Sequence, residues 1–201
     1  MTLQDFIEKY DFQGSIVLLE GKRDVRPDDE EKLRNIGKLL ASRTNHIVFR
    51  SGNADGSDSL FAEGVIAADR SRLEVIVPYT KHRTRTNHAY KTYSLEDVNL
   101  LNEPEVVYQS KKNKKTEGLI GKYVSGARDR FSIKAAYIIR DTIKAIGTKD
   151  IKPATFGIFY DDLSNPRQGG TGHTMKTCEL NGIAIVDQRT WMRWIDDTGG
   201  V

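Results

Sequence analysis

At 201 residues, with 38% hydrophobic and 29% charged residues, the chain has the composition of a globular protein and the length to bury one substantial core. No run is long and apolar enough to span a bilayer, and Asp5, Glu8 and Lys9 interrupt the amino-terminal stretch, so neither a membrane protein nor a secretory leader is expected. A net charge of +3 does not by itself imply nucleic-acid binding, and the single cysteine, Cys178, rules out an internal disulfide and makes the cytoplasm the expected location.

Residues 14–21 form a short apolar run closed by glycine, the pattern of a strand buried on both faces. Residues 28–42 place Leu33, Ile36, Leu39 and Leu40 at helical spacing, with four acidic residues at the start to complement the helix dipole. A second strand at 46–50, a helix at 60–68 and a third strand at 73–78 continue the alternation. Residues 79–130 are basic and read as an irregular excursion over the sheet edge, with Glu105-Val106-Val107-Tyr108 as a weak strand. A helix at 133–146, a strand at 155–160, a glycine loop with helix at 169–181 and a strand at 183–186 follow. Trp191 and Trp194 are expected to pack a terminal helix onto the sheet. The alternation predicts an α/β, Rossmann-like, three-layer fold with a mainly parallel sheet, as one domain over residues 1–201.

Three strand-to-helix loops carry the candidate chemistry. They are Gly21-Lys22-Arg23-Asp24, the stretch from Ser51-Gly52-Asn53 through Gly56 to Asp58, and Gly169-Gly170-Thr171-Gly172-His173-Thr174. Glycines allow close backbone approach, amides at a helix start attract anions, and parallel sheets deliver such loops to one edge. Arg23 is expected beside the Gly169-Gly170-Thr171 loop, sharing a phosphate with it. No loop has the Gly-x-Gly-x-x-Gly spacing of a dinucleotide fingerprint, so NAD is not expected, and no cofactor is assigned.

With these three loops the chain resembles the SLOG superfamily, which groups the DNA-processing protein DprA, the LOG phosphoribohydrolases and nucleotide-sensing domains. Relatives often carry Gly-Ser-Arg in the first loop, where this chain has Gly21-Lys22-Arg23, and an Arg-Asn pair on the helix before the last glycine loop, matched here by Arg140-Asp141. The LOG loop ends in a catalytic glutamate, and Met175 stands at that position. The resemblance therefore implies a nucleotide-type ligand without carrying over that catalytic carboxylate.

Several of these residues also have plain structural readings. Asp58 either flanks its helix or contacts a ribose, and Asp161 and Asp162 are read first as turn residues. His173 is a candidate for acid/base or ligand contact, or for packing at the helix start. His82 and His88 lack metal-ligand spacing and are expected as exposed loop histidines, with no metal site assigned. Cys178 is expected to be buried and inert. Three functions compete: binding or sensing of a phosphorylated, nucleotide-type small molecule; N-glycosidic cleavage with His173, Asp58 or Asp141 as polar groups; and single-stranded nucleic-acid binding through Lys111-Lys112-Asn113-Lys114-Lys115. A homo-oligomer is also expected from the LOG-type relatives.

Overall fold

Among the described residues the chain forms six short strands, of which the central ones are buried runs: β1 (Ile16–Gly21), β2 (Val48–Ser51), β3 (Leu73–Val77), β4 (Lys91–Ser94), β5 (Phe156–Tyr160) and β6 (Ala184–Val186). The computed structural model describes residues 1–197, and the last four residues of the expected 1–201 domain lie outside the described residues. The strands form one sheet in the order β4-β3-β2-β1-β5-β6, every pair parallel. From β1 the chain builds outward through β2, β3 and β4. It then crosses back and lays β5 and β6 on the other side, so the order reverses between β1 and β5, where Leu18 pairs with Gly157 and Gly21 with Tyr160. At such a reversal the flanking loops diverge and leave a crevice.

Among the described residues, eight α-helices cover the two faces. On one side lie α1 (Leu3–Tyr10), α2 (Pro27–Arg43), α3 (Ser57–Asp69) and α8 (Gln188–Asp196). Side chains of a strand alternate between faces, so Val17, Leu19, Phe156 and Ile158 meet Leu33, Ile36, Phe61 and Trp191 there. On the other side lie α4 (Pro104–Ser110), α5 (Glu117–Val124), α6 (Ser132–Ile146) and α7 (Gly169–Leu180), and Leu18 and Phe159 pack against Ala145, Met175 and Cys178. The α/β three-layer reading of the sequence holds. Local signals place the helix ends: Thr2 and Asp5 form a capping box on α1, Pro27 opens α2 ahead of Asp28, Asp29 and Glu30, and Gly147, at φ 70°, closes α6.

The stretch 79–130 is more ordered than its composition suggested. Lys91–Ser94 joins the sheet as an edge strand beside β3, and its exposed lysine and threonine suit an edge. Glu105-Val106-Val107-Tyr108, expected as a weak strand, lies within α4, where Pro104 supplies the first turn and Val106 is buried. The lysine run is the turn between α4 and α5, closed by the Thr116 amide donating to Asn113 O at 2.9 Å. Trp191 and Trp194 are buried in the α8 face of the core, with the Trp191 indole donating to Phe159 O at 2.9 Å.

Candidate functional site

Strand β1 ends Leu18-Leu19-Glu20-Gly21, and alternation turns Glu20 toward the α6 face, beside Leu18. A carboxylate there needs a partner, and α6 supplies one: Lys144 Nζ lies 2.6 Å from Glu20 Oε1 and 2.8 Å from Asp141 Oδ1. Arg140, one helical turn earlier, completes the cluster, with Nε 3.3 Å from Asp141 Oδ1 and Nη1 donating to Gly52 O at 3.0 Å. All four side chains are at least nine-tenths buried. A second buried pair fixes α6 on the sheet: Arg50 of β2 binds Glu74 at 2.7 Å and donates to Lys144 O and Lys152 O at 2.9 and 2.8 Å.

The cluster forms the floor of an open cleft of about 350 Å³ at the β1/β5 reversal. Gly21, Lys22 and Arg23 form one wall, Asp58 and Ala54 a second, and Gln168, Gly169, Gly170 and Thr171 a third. The start of α7 has no side-chain cap and no acid in its first turn, so the amides at its exposed glycines remain open to solvent. Arg23 is exposed at the rim and has no carboxylate partner among the described residues, while Lys22 lies 3.6 Å from Asp162. Helix dipole, open amides and a free guanidinium together favour an anion.

Charge on the floor is finely balanced. Burial pushes the Glu20 carboxyl up, against the pull of Lys144 and with Asp58 and Asp141 adding to the rise, to about 7. Burial acts the same way on Asp141, but Arg140 and Lys144 outweigh it and hold that carboxyl below its ordinary value. Lys144 is raised despite burial and Arg140, because Asp141, Glu20 and Asp58 surround it. Glu20 is thus the group on the floor that titrates near neutrality.

Among solved structures, the chain is similar to DNA processing protein A from Helicobacter pylori, described with a single-stranded DNA binding mode. The TM-score is 0.52 at 13% identity, covering 98% of this chain and 77% of that one. It is also similar to the Moco carrier protein of Chlamydomonas rheinhardtii, with a TM-score of 0.46 at 10% identity, covering 89% of this chain and 77% of that one. The first likeness shows a shared fold. No protein-family model and no curated protein matches the chain.

The structure separates the candidate residues into groups. Gly21, Lys22, Arg23, Asp58, Arg140, Asp141, Gly169, Gly170 and Thr171 line the one cleft, so Arg23 and Gly170 share it although most of the chain separates them. Ser51 and Asn53 line a neighbouring cavity that also reaches Ala54 and Asp58. Gly52 and Gly56 serve packing: a Cβ on Gly52 would overlap the Arg140 guanidinium, and one on Gly56 would overlap the Arg23 backbone. Gly172 packs its Cα against the Arg167 backbone, and Thr174 is buried, bonding Gly170 O at 3.1 Å. His173 turns away from the main cleft, Nε2 lying 2.9 Å from Thr142 Oγ1, and faces the two cavities beside the lysine turn. Burial holds its imidazole below the ordinary value.

Asp58 is a clamp: Oδ1 accepts from Gly21 N at 3.2 Å, and Oδ2 accepts from Gly52 N at 3.1 Å and Ala54 N at 3.4 Å, binding the first two loops together. Asp161 and Asp162 hold the β5–α7 connection, accepting from Arg167 N at 2.7 Å and Ser164 N at 3.1 Å. His82, expected in solvent, is instead buried, its Nε2 3.0 Å from the Tyr137 hydroxyl; burial and the nearby Arg140 press its pKa down to about 4. His88 is exposed. Cys178 is buried, and its thiol is pushed up by burial. Sequence reasoning missed Glu20 and Lys144. A glutamate inside an apolar strand, and a lysine three residues after Asp141, were the available signals.

Proposed function

We propose that the chain binds a phosphorylated, nucleotide-type ligand, with the phosphate at the start of α7 and Arg23 as its cationic partner. The observation that carries the reading is the uncapped, glycine-led helix start opening into the same cleft as an unpaired arginine, at the strand-order reversal of a parallel sheet. The SLOG resemblance, with its three glycine loops, supports the same reading. A thermal-shift screen of nucleoside mono- and diphosphates, cyclic nucleotides and ADP-ribose derivatives tests it, since a ligand at about 100 times its dissociation constant adds about 2.7 kcal/mol. A panel that gives no stabilisation overturns it.

Binding is preferred to N-glycosidic cleavage because the proposed polar groups are occupied. Asp58 holds three amides, Asp141 holds two cations, and His173 lies outside the main cleft. Incubation with nucleoside monophosphates is expected to release no free base. A second reading, single-stranded nucleic-acid binding, is supported by the cavities beside the main cleft. There Lys112, Lys114, Lys115, Arg130 and Lys134 gather around Gly169 and His173. The DNA-processing protein of similar fold points the same way. Binding through these cations would weaken steeply with added salt, and no binding of an oligonucleotide at low salt would overturn it.

A further inference from the structure

A second cavity, of about 290 Å³, adjoins the main cleft across Ala54 and Asp58 and runs along α3 beneath the segment that joins β3 to β4. Its depth is apolar, made by Ala62, Ile66, Leu73 and Val75. The acidic side chains around it are already engaged: Asp55 pairs with Arg83, Glu63 binds Arg34 at 2.8 Å, and Asp58 is the amide clamp. Several polar groups are likewise spent locally. Ser59 donates to Gly56 O at 2.9 Å, and Asn87 donates to Thr92 at 2.9 Å while accepting from Ala89 N at 3.1 Å.

Two buried polar groups of its lining are not spent. Ser51 is 1% exposed, and its hydroxyl has no hydrogen-bond partner; the Asn53 amide nitrogen is also buried and unpartnered. Both residues line this cavity, at its end nearest the main cleft. Leaving two buried donors unpaired costs free energy, and a ligand edge carrying acceptors would satisfy them. Asn53 holds its position with φ 53°, a left-handed conformation that asparagine tolerates better than most side chains.

We infer that this cavity is a base subsite: it takes the uncharged heterocyclic base of a nucleotide whose phosphate lies at the start of α7, with Ser51 and Asn53 contacting the base edge and Ala62, Ile66 and Val75 its face. The inference rests on the phosphate reading above and deepens it. A slot with an apolar face, buried unspent neutral hydrogen-bonding groups and its Asp55, Asp58, Glu63 and Arg83 side chains already engaged suits an uncharged planar ring rather than a second phosphate.

The test is calorimetric titration of the full chain with AMP, GMP, CMP, UMP and, as the probe lacking a base, ribose 5-phosphate. At least one nucleotide is expected to bind about tenfold or more tightly than ribose 5-phosphate. Asn53→Gly, which keeps the left-handed backbone, and Ser51→Ala, which removes an unpartnered hydroxyl, should each weaken that nucleotide about threefold or more and leave ribose 5-phosphate unchanged. Ala62→Phe, which fills the slot, should abolish the advantage of the base. Ribose 5-phosphate binding that no base improves, or variants that weaken both probes equally, overturns the subsite and leaves the phosphate cleft standing. Failure of every probe to bind overturns both.

Discussion

Replacing Lys144 by methionine removes the ammonium that Glu20 and Asp141 share at 2.6 and 2.8 Å. Methionine retains most of the side-chain length, so packing around the buried position suffers little, and the loss is chiefly electrostatic. Asp141 keeps Arg140 at 3.3 Å, but Glu20 loses its ion-pair partner. Breaking a buried pair from one side costs about 3–5 kcal/mol, which is a large part of the total stability of a domain this size. That cost depends on pH. At pH 8 Glu20 is ionised in the wild type, and the variant must either strand that charge or take up a proton to lose it, both of which cost free energy. Removing the pull of Lys144 raises the carboxyl further above about 7, so at pH 5.5 it is neutral and only the lost contact to Asp141 remains, on the order of 1–3 kcal/mol. Urea unfolding followed by circular dichroism at the two pH values measures both costs. A loss below about 1 kcal/mol at pH 8, or equal losses at the two pH values, would refute the charge balance described for the cleft floor.

Glu20→Gln isolates the titration. A carboxyl raised from 4.5 to about 7 gives stability that is fully present below its unfolded value and lost as pH rises through about 7. Relative to the variant, wild type should therefore lose about 3 kcal/mol between pH 4.5 and 8 in an unfolding series, and parallel curves would contradict this. Gly52→Ala forces the Arg140 guanidinium aside and should cost about 1–3 kcal/mol by overpacking. Gly169→Ala, at φ 61° with open space around it, should cost only about 1 kcal/mol of backbone strain. Chemical denaturation of both variants checks the contrast, which disappears if Gly52 serves merely as a turn residue.

The layers and the parallel sheet followed from signals that are local in the chain, whereas the strand order came only with the structure. Apolar runs gave β1, β2, β3 and β5, with glycine closing the first and a glycine loop following the second, and acidic residues ahead of periodic leucines gave α2. The edge strand Lys91–Ser94 escaped notice because its residues are half-solvated, so no apolar run marks it, and its pairing with β3 is a tertiary fact. Val106 and Val107 favour a strand by propensity, yet Pro104 and burial of one face place them in a helix. At the site, glycines and cations near strand ends were readable, but the partner of each charge was not. Lys144 meets Glu20 across 124 positions of sequence, and Asp58 ties two loops whose proximity only the parallel sheet creates. His82 was misplaced for a related reason: Tyr79 stands three residues before it, but Tyr137, which closes over its ring, is 55 positions away and is brought there only by the fold.

The central claim, a phosphate held between the start of α7 and Arg23, is tested most directly by backbone amide NMR. Isotope-labelled wild type and Arg23→Ala would be titrated with the tightest phosphorylated ligand from the screen and with its dephosphorylated analogue. The account predicts that the phosphorylated ligand shifts the amide resonances of Gly169, Gly170 and Thr171 and binds more weakly to Arg23→Ala, while the analogue moves those three resonances little and binds both proteins alike. Unmoved resonances at Gly169, Gly170 and Thr171 under saturating phosphorylated ligand would contradict it.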